Sequence, residues 1–156
     1  MPNPPQDATP ENWHRFFAMS ANNLAWRLAG ERRDDTTDAD MLNAAHASAW
    51  HWGVIGTELN RMRATMLLAH VHAVAGHGER AFAYASQMHE YFLARPETPD
   101  WEVAFTHAIH AQAAHAAGHP HEHARSYASA KQAIAAIVQE EDRAIVEETF
   151  VRLAAP

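Results

Sequence analysis

Cysteine is absent from this chain of 156 residues, which excludes disulfide bonds, thiol catalysis and metal sites with cysteine ligands. Lysine is almost absent too, since Lys131 stands alone beside 11 arginines, and the formal net charge is -7. A surface that binds the phosphate backbone of nucleic acid needs concentrated positive charge. We therefore expect no nucleic-acid partner.

Long apolar runs are also missing. Nowhere do about 18 consecutive apolar residues occur, which is the length that a membrane-spanning helix needs. Residues 1–9 contain three prolines and have neither the basic start nor the apolar core of a secretion signal. We expect a cytoplasmic protein without membrane contact, with a disordered arm over residues 1–9 and a single domain over residues 10–156.

The apolar residues recur at helical spacing along most of the chain, and no stretch alternates as a β-strand does. The 34 alanines favour helices, and Thr9 followed by Pro10 is typical of a helix start. The sequence therefore predicts an all-α fold with about seven helices. Their predicted ranges are 10–30, 38–54, 57–76, 78–93, 101–118, 120–138 and a last helix from residue 140.

Two of the predicted helix turns share a pattern. Residues 73–85 align with residues 115–128 when one inserted residue is allowed. In both segments a glycine, Gly76 or Gly118, ends the first helix, and small residues four apart open the second. Small residues let two helices approach closely, so the pattern predicts stacked helical hairpins.

This pattern resembles that of the tetratricopeptide family, and the chain is also similar to small bacterial helical proteins of this type. His72 and Ala114 stand where the family usually has an aromatic residue. The resemblance implies a short array of antiparallel hairpins whose concave surface, lined by the first helix of each hairpin, holds a peptide or a partner protein. The residues that match the small positions of the family are Ala69, Gly76, Ala81 and Ala85 in one unit and Ala111, Gly118, Ala124 and Ala128 in the next.

The resemblance also implies which residues line the groove. Asn60 and Arg63 are the residues there that could bind an acidic group. Alternatively, Asn60 caps its helix and Arg63 is a solvated or ion-paired side chain. The predicted groove residues are Asn60, Arg63, Met66, His70 and Val74 from the third helix and Phe105, Gln112 and His115 from the fifth.

Thirteen histidines raise an alternative, a histidine-dependent metal-binding protein or enzyme in a helical bundle. Its candidate ligands are His70, His107 and His110, which facing helices could bring together. Metal centres of this kind usually include carboxylates, and the sequence indicates none on the inward faces of the first helices. We therefore expect no metal or other cofactor, and we expect most of these histidines to be partly buried and hydrogen-bonded.

A second histidine cluster surrounds the turn at Gly118. His115, His119 and His123 stand four residues apart, but this spacing aligns side chains only on an unbroken helix. Because Gly118 and Pro120 interrupt the helix, we expect an exposed turn rather than a metal site.

Catalytic motifs are not found, since no serine stands in a nucleophile motif and no glycine-rich phosphate loop occurs. Consecutive positions on a helix point about 100° apart, so at least one of Trp50, His51 and Trp52 must approach solvent or a partner. We expect a noncatalytic module that binds a protein or peptide in its groove. Homodimerisation through the first or the last helix is also expected, because terminal hairpins leave apolar faces uncovered.

Overall fold

The fold is all-α, as the sequence predicts. The computed structural model describes residues 2–31 and 34–156, and within these residues seven α-helices and no β-strand are formed. The helices are α1 (Pro10–Gly30), α2 (Asp35–Ile55), α3 (Glu58–Val74), α4 (Gly78–Leu93), α5 (Asp100–Ala116), α6 (Pro120–Ala136) and α7 (Glu140–Phe150).

Side-chain caps mark the starts of α1, α2 and α3. Thr9 caps α1 by accepting a hydrogen bond from the backbone amide of Asn12, and Pro10 takes the first helical position. Helix α2 begins three residues before its predicted start because Asp34 accepts from the backbone amide of Thr37 at 2.8 Å. Helices α5 and α6 each end two residues before their predicted ends. Met1 in the predicted arm and residues 32–33 in the predicted loop lie outside the described residues.

The α3–α4 and α5–α6 turns have the same backbone geometry. Gly76 and Gly118 have φ values of 77° and 74°, a left-handed conformation that side chains with a Cβ rarely adopt. In each turn the amide after the glycine donates to a carbonyl five residues back, His77 to His72 and His119 to Ala114. These are Schellman caps, so the two glycines occupy equivalent positions in two equivalent hairpins.

The alignment of the two hairpins needs no inserted residue, and on this point the sequence prediction is wrong. Ala81 and Ala85 are fully buried, as expected, but Ala124 and Ala128 face solvent. His123 takes the position equivalent to Ala81, five residues after the turn glycine, and is 5 % exposed. Its Nε2 donates to the carbonyl of Ala154, so the segment after α7 satisfies the polar group of this buried ring.

The helices pack as an array in which every helix contacts its neighbour in the chain. Additional contacts join α1 to α3, α3 to α5 and α5 to α7, whereas the described residues of α2, α4 and α6 make no such contacts with one another. The helices α1, α3, α5 and α7, called the first helices below, therefore form an inner layer. The helices α2, α4 and α6 form an outer layer.

The hydrophobic core lies between these layers in two clusters. One cluster joins α1, α2 and α3 around Met41 and Leu67. The other joins α3, α4, α5, α6 and α7 around Met88, Phe92 and Ile109. Both clusters contain several fully buried alanines, which permit the close helix approach expected from the sequence.

Candidate functional site

A cavity of about 740 Å³ opens between the first helices. Its volume falls within the range of about 300 to 1,000 Å³ that is usual for ligand pockets. Its described lining comes from the first helices and from Arg152, which follows the end of α7. These lining residues are Asn22, Trp26, Arg27, Ala29, Gly30, Arg63, Met66, His70, Val74, Trp101, Glu102, Phe105, Gln112, Ile145, Glu148, Thr149 and Arg152.

Most of the predicted groove residues meet in this cavity. The structure places Asn60 and His115 outside it. Asn60 forms a capping box with Thr57, in which the Asn60 side chain accepts from the Thr57 amide at 3.0 Å. The His115 ring packs against His123 with 4.9 Å between ring centroids. The predicted residues that line the cavity are Arg63, Met66, His70, Val74, Phe105 and Gln112.

One end of the cavity contains an ion pair between two first helices. Arg63 donates from Nε and Nη2 to the two carboxylate oxygens of Glu102, at 2.6 and 3.0 Å. The Glu102 side chain is 2 % exposed and that of Arg63 is 43 % exposed, so the arginine is the more accessible member of the pair. The Arg63 guanidinium also lies 5.6 Å from the ring centre of Trp101. Its hydrogen bonds to Glu102 raise the pKa of Arg63 above its usual value.

Glu102 is the inward-facing carboxylate that the sequence analysis did not find. It stands at the start of α5, one turn before Phe105, and Ile109 and Gln112 continue the same face of the helix. That spacing is the signal that places Glu102 on the inner face. A buried carboxylate needs a positively charged, hydrogen-bonded partner, and Arg63 supplies it from α3.

The middle of the cavity is a cluster of aromatic and amide groups. His70 Nδ1 lies 2.7 Å from Gln112 Oε1, and since an amide oxygen only accepts, His70 donates there from Nδ1. The Trp26 ring stacks on His70 at 4.6 Å between ring centroids, with 23° between the planes. It also meets the Phe105 ring edge to face at 5.9 Å. These contacts pack the Trp26, His70, Phe105 and Gln112 side chains against one another in the cavity wall.

The other arginines of the described lining also have carboxylate partners. Arg27 pairs with Glu31 at 2.7 Å, and Arg152 pairs with Glu148 at 3.2 Å. Both pairs are solvent-exposed and join residues four apart, a geometry that contributes little to stability. The arginines of the described lining are therefore locally neutralised.

The metal-ligand candidates do not come together. His70 lies in the cavity, whereas His107 and His110 pack around His89 of α4, at 5.3 and 4.4 Å between ring centroids. In the described part of the chain, no group of three or more histidine and carboxylate side chains is placed to hold a metal ion. Near Gly118, the His119 ring stacks on Phe82, whereas His115 packs against His123.

Many histidines instead bridge neighbouring helices. His72 Nε2 lies 3.2 Å from His46 Nε2 of α2, and His72 Nδ1 lies 3.2 Å from His77 Nδ1 in the next turn. His110 Nδ1 lies 2.8 Å from the buried Ser126 hydroxyl of α6. His70 and His110 are buried and hydrogen-bonded as expected, whereas His46 is exposed and the buried Nδ1 of His107 has no hydrogen-bond partner among the described residues.

Burial makes three of these histidines poor bases. Burial lowers the pKa of His72 to about 4, and the nearby His46, His77 and Arg80 add to the shift. Burial followed by the field of His89 lowers the pKa of His107 to about 4. The pKa of His110 is also lowered to about 4, mainly by burial and then by His89. All three are therefore neutral at physiological pH.

A second surface feature lies at the α1–α2 end of the array. We call it the end patch and define it by Trp13, Phe17, Trp50 and Val54. The Trp13 and Phe17 rings stack at 5.6 Å between centroids. Trp50 is 62 % exposed, which agrees with the expectation that one residue of the Trp50–Trp52 run approaches solvent.

None of the described helices is both long and apolar enough to span a membrane. The cavity and the end patch both lie on the helical array, and its described residues form no cluster of three or more metal-binding side chains. Comparison of the chain with family models, curated proteins and solved structures gives no match.

Proposed function

We propose that the chain is a noncatalytic, tetratricopeptide-like interaction protein whose cavity holds a peptide segment of a partner protein. The observation that carries the proposal is the position of the cavity on the inner layer, where the first helices supply its described walls. An array of hairpins presents its inner layer as an extended concave surface, which suits a chain-like ligand.

The polar groups of the cavity support binding rather than catalysis. Arg63 is held by Glu102, and His70 is held by Gln112, so each group has a partner that fixes its position. A nucleophile activated by a general base would need a free hydroxyl or thiol beside a histidine. Thr149 is the hydroxyl residue of the described lining. His70 hydrogen-bonds to Gln112 and stacks on Trp26, so these contacts do not place it beside a nucleophile.

The proposal is tested by blocking the cavity. Val74 is half-buried in the cavity wall, so Val74→Arg places a long charged side chain in the space a peptide would fill. The matched control is Val138→Arg, because Val138 is 80 % exposed and outside the described lining. Both variants are checked for helix content by circular dichroism and then used to select peptides from a random display library.

We expect the parent protein and Val138→Arg to select the same peptides, and Val74→Arg to select none of them. Equal selection by all three proteins would show that peptides bind elsewhere or not at all, and the proposal would be withdrawn. The cytoplasmic location expected from the sequence stays a prediction.

Self-association through the end patch is a second proposal, and the exposed aromatic rings support it. Trp13, Phe17 and Trp50 are 36, 45 and 62 % exposed. An aromatic side chain presents about 200 Å² when fully accessible, so together they leave roughly 290 Å² of aromatic surface uncovered. A stable dimer buries about 800 Å² per partner, and this patch supplies an apolar centre of suitable size.

The test is the molar mass in solution by light scattering after size-exclusion chromatography. We expect a dimer for the parent protein, a monomer for Trp50→Glu and a dimer for the control Val138→Glu, whose site is more exposed and lies between α6 and α7. A monomeric parent protein at high concentration, or a dimer that survives Trp50→Glu, would refute this role of the end patch.

A further inference from the structure

We propose that the cavity selects an uncharged, extended peptide segment of about five residues, with apolar or aromatic side chains, and binds it through its main-chain carbonyls. This inference rests on the proposed function and specifies the chemistry of the partner. It differs from the acidic ligand that Asn60 and Arg63 suggest from the sequence alone.

The charged residues of the described lining do not favour an acidic ligand. Asn60 is used as a helix cap, and Arg63 already binds both oxygens of a buried carboxylate. Each further arginine of the described lining has its own glutamate, as shown for Arg27 and Arg152. An acidic ligand would have to compete with these carboxylates, so its charge would gain little.

Hydrogen-bond donors, in contrast, are available. Gln112 uses its amide oxygen to accept from His70, which leaves the two amide hydrogens without an acceptor among the described residues. Arg63 uses Nε and Nη2 on Glu102 and keeps Nη1 as a further donor. Neutral carbonyl oxygens satisfy such donors without introducing a charge, and an extended backbone supplies a carbonyl at every residue.

Most of the remaining wall is apolar, and Asn22 and Thr149 add polar groups to it. Trp26 and Phe105 meet edge to face, and Met66 and Val74 lie on the same side of α3 as His70. Aromatic rings that are already fixed by packing lose little conformational entropy when a ligand side chain contacts them. Apolar or aromatic ligand side chains therefore fit between the donors.

The length of the segment follows from helix α3. Arg63 and Val74 both line the cavity, and their separation along α3 corresponds to about 16 Å at about 1.5 Å per residue. An extended chain advances about 3.3 Å per residue, so about five residues span this length.

The first experiment uses a random display library of peptides held between neutral flanking residues, selected on the parent protein and counter-selected on Val74→Arg. We expect the selected peptides to be rich in apolar and aromatic residues and to lack aspartate and glutamate. One selected peptide is then synthesised with blocked ends and titrated by calorimetry at about 50 and about 300 mM NaCl. We expect its Kd to change less than about twofold, because an uncharged peptide forms no ion pair with the protein that salt could screen.

The second experiment removes the amide donors but keeps the shape of the wall. Gln112→Glu retains an oxygen that accepts from His70, and it replaces the amide hydrogens by a carboxylate that repels peptide carbonyls. We expect the Kd of the selected peptide to rise at least about tenfold, which corresponds to about 1.4 kcal/mol. The matched control is Gln87→Glu on the exposed face of α4, for which we expect an unchanged Kd.

The possible outcomes are distinct. Selection of acidic peptides with a steep loss of affinity in salt, still dependent on Val74, would overturn this inference and leave the proposed function standing. Selection of apolar peptides with an unchanged Kd in Gln112→Glu would overturn the carbonyl recognition. Absence of any peptide whose binding depends on Val74 would overturn both the inference and the proposed function.

Discussion

The substitution His72→Phe tests whether buried histidines make the fold sensitive to acid. His72 is 5 % exposed, lies between His46 and His77, and stacks on the Tyr84 ring at 5.6 Å between centroids. Phenylalanine fits this aromatic surrounding. The variant loses the contacts to two histidines but removes a group that must stay neutral in the folded state.

The size of the effect follows from the pKa of His72. Its pKa is about 4 when folded and about 6.5 as a free side chain, so the unfolded chain takes up the proton first as the pH falls. The contribution of neutral His72 to stability is therefore complete above about pH 6.5, and it is lost as the pH falls toward 4. Between about pH 8 and pH 5 the loss is about 2 kcal/mol, and little is subtracted for solvent screening because the side chain is buried.

The assay is urea unfolding at several pH values, followed by circular dichroism. We compare the fall in the free energy of unfolding between about pH 8 and pH 5 in the two proteins. We expect this fall to be about 2 kcal/mol smaller in His72→Phe than in the parent protein. The control is Gln132→Phe on the exposed surface of α6, which removes no titratable group and should keep the pH dependence of the parent protein. An identical pH dependence in the parent protein and in His72→Phe would refute the reasoning.

Two further predictions concern the ion pair and the turns. Glu102→Gln should lower the free energy of unfolding by about 2 kcal/mol. This loss is smaller than for a fully buried ion pair because Arg63 is half-exposed. Glu148→Gln breaks an exposed pair and should change the free energy of unfolding by less than about 0.5 kcal/mol. Equal effects in urea unfolding would contradict this. Gly76→Ala should destabilise the protein by about 1 kcal/mol because residue 76 has a positive φ. Gly53→Ala should stabilise helix α2 by about 0.5 kcal/mol, because nothing lies within 4 Å of the added methyl group. Thermal unfolding that shifts in the same direction in both variants would show that backbone conformation does not set the sign.

The sequence predicts local features of the fold well, because local chemistry determines them. Thr9 with Pro10 places the start of α1, and the turn glycines Gly76 and Gly118 end α3 and α5 close to the predicted residues. These signals act over one helical turn, through side-chain caps and left-handed backbone positions. The start of α2 is placed three residues too late because Asp34, three residues before Thr37, is also a strong cap.

Features that depend on the meeting of distant helices are harder to predict. The sequence places Arg63, His70 and Gln112 in a groove, but their partners come from other elements. Glu102 and Trp26 are the partners that it did not identify. The position of Arg152 in the cavity wall likewise depends on the summed geometry of the whole array, which no local spacing encodes.

The contact pattern of the first helices has a consequence for the order of folding. The helix backbones approach one another within two elements along the chain, so most of the fold needs no closure of very long loops, whereas the Trp26–Phe105 side-chain contact joins α1 to α5. We expect rapid folding that starts within a hairpin and spreads to its neighbours. The cavity, whose walls extend from Asn22 in α1 to Arg152 beyond α7, is then completed only in the last step. A truncated or stalled chain would contain folded hairpins but no complete binding site.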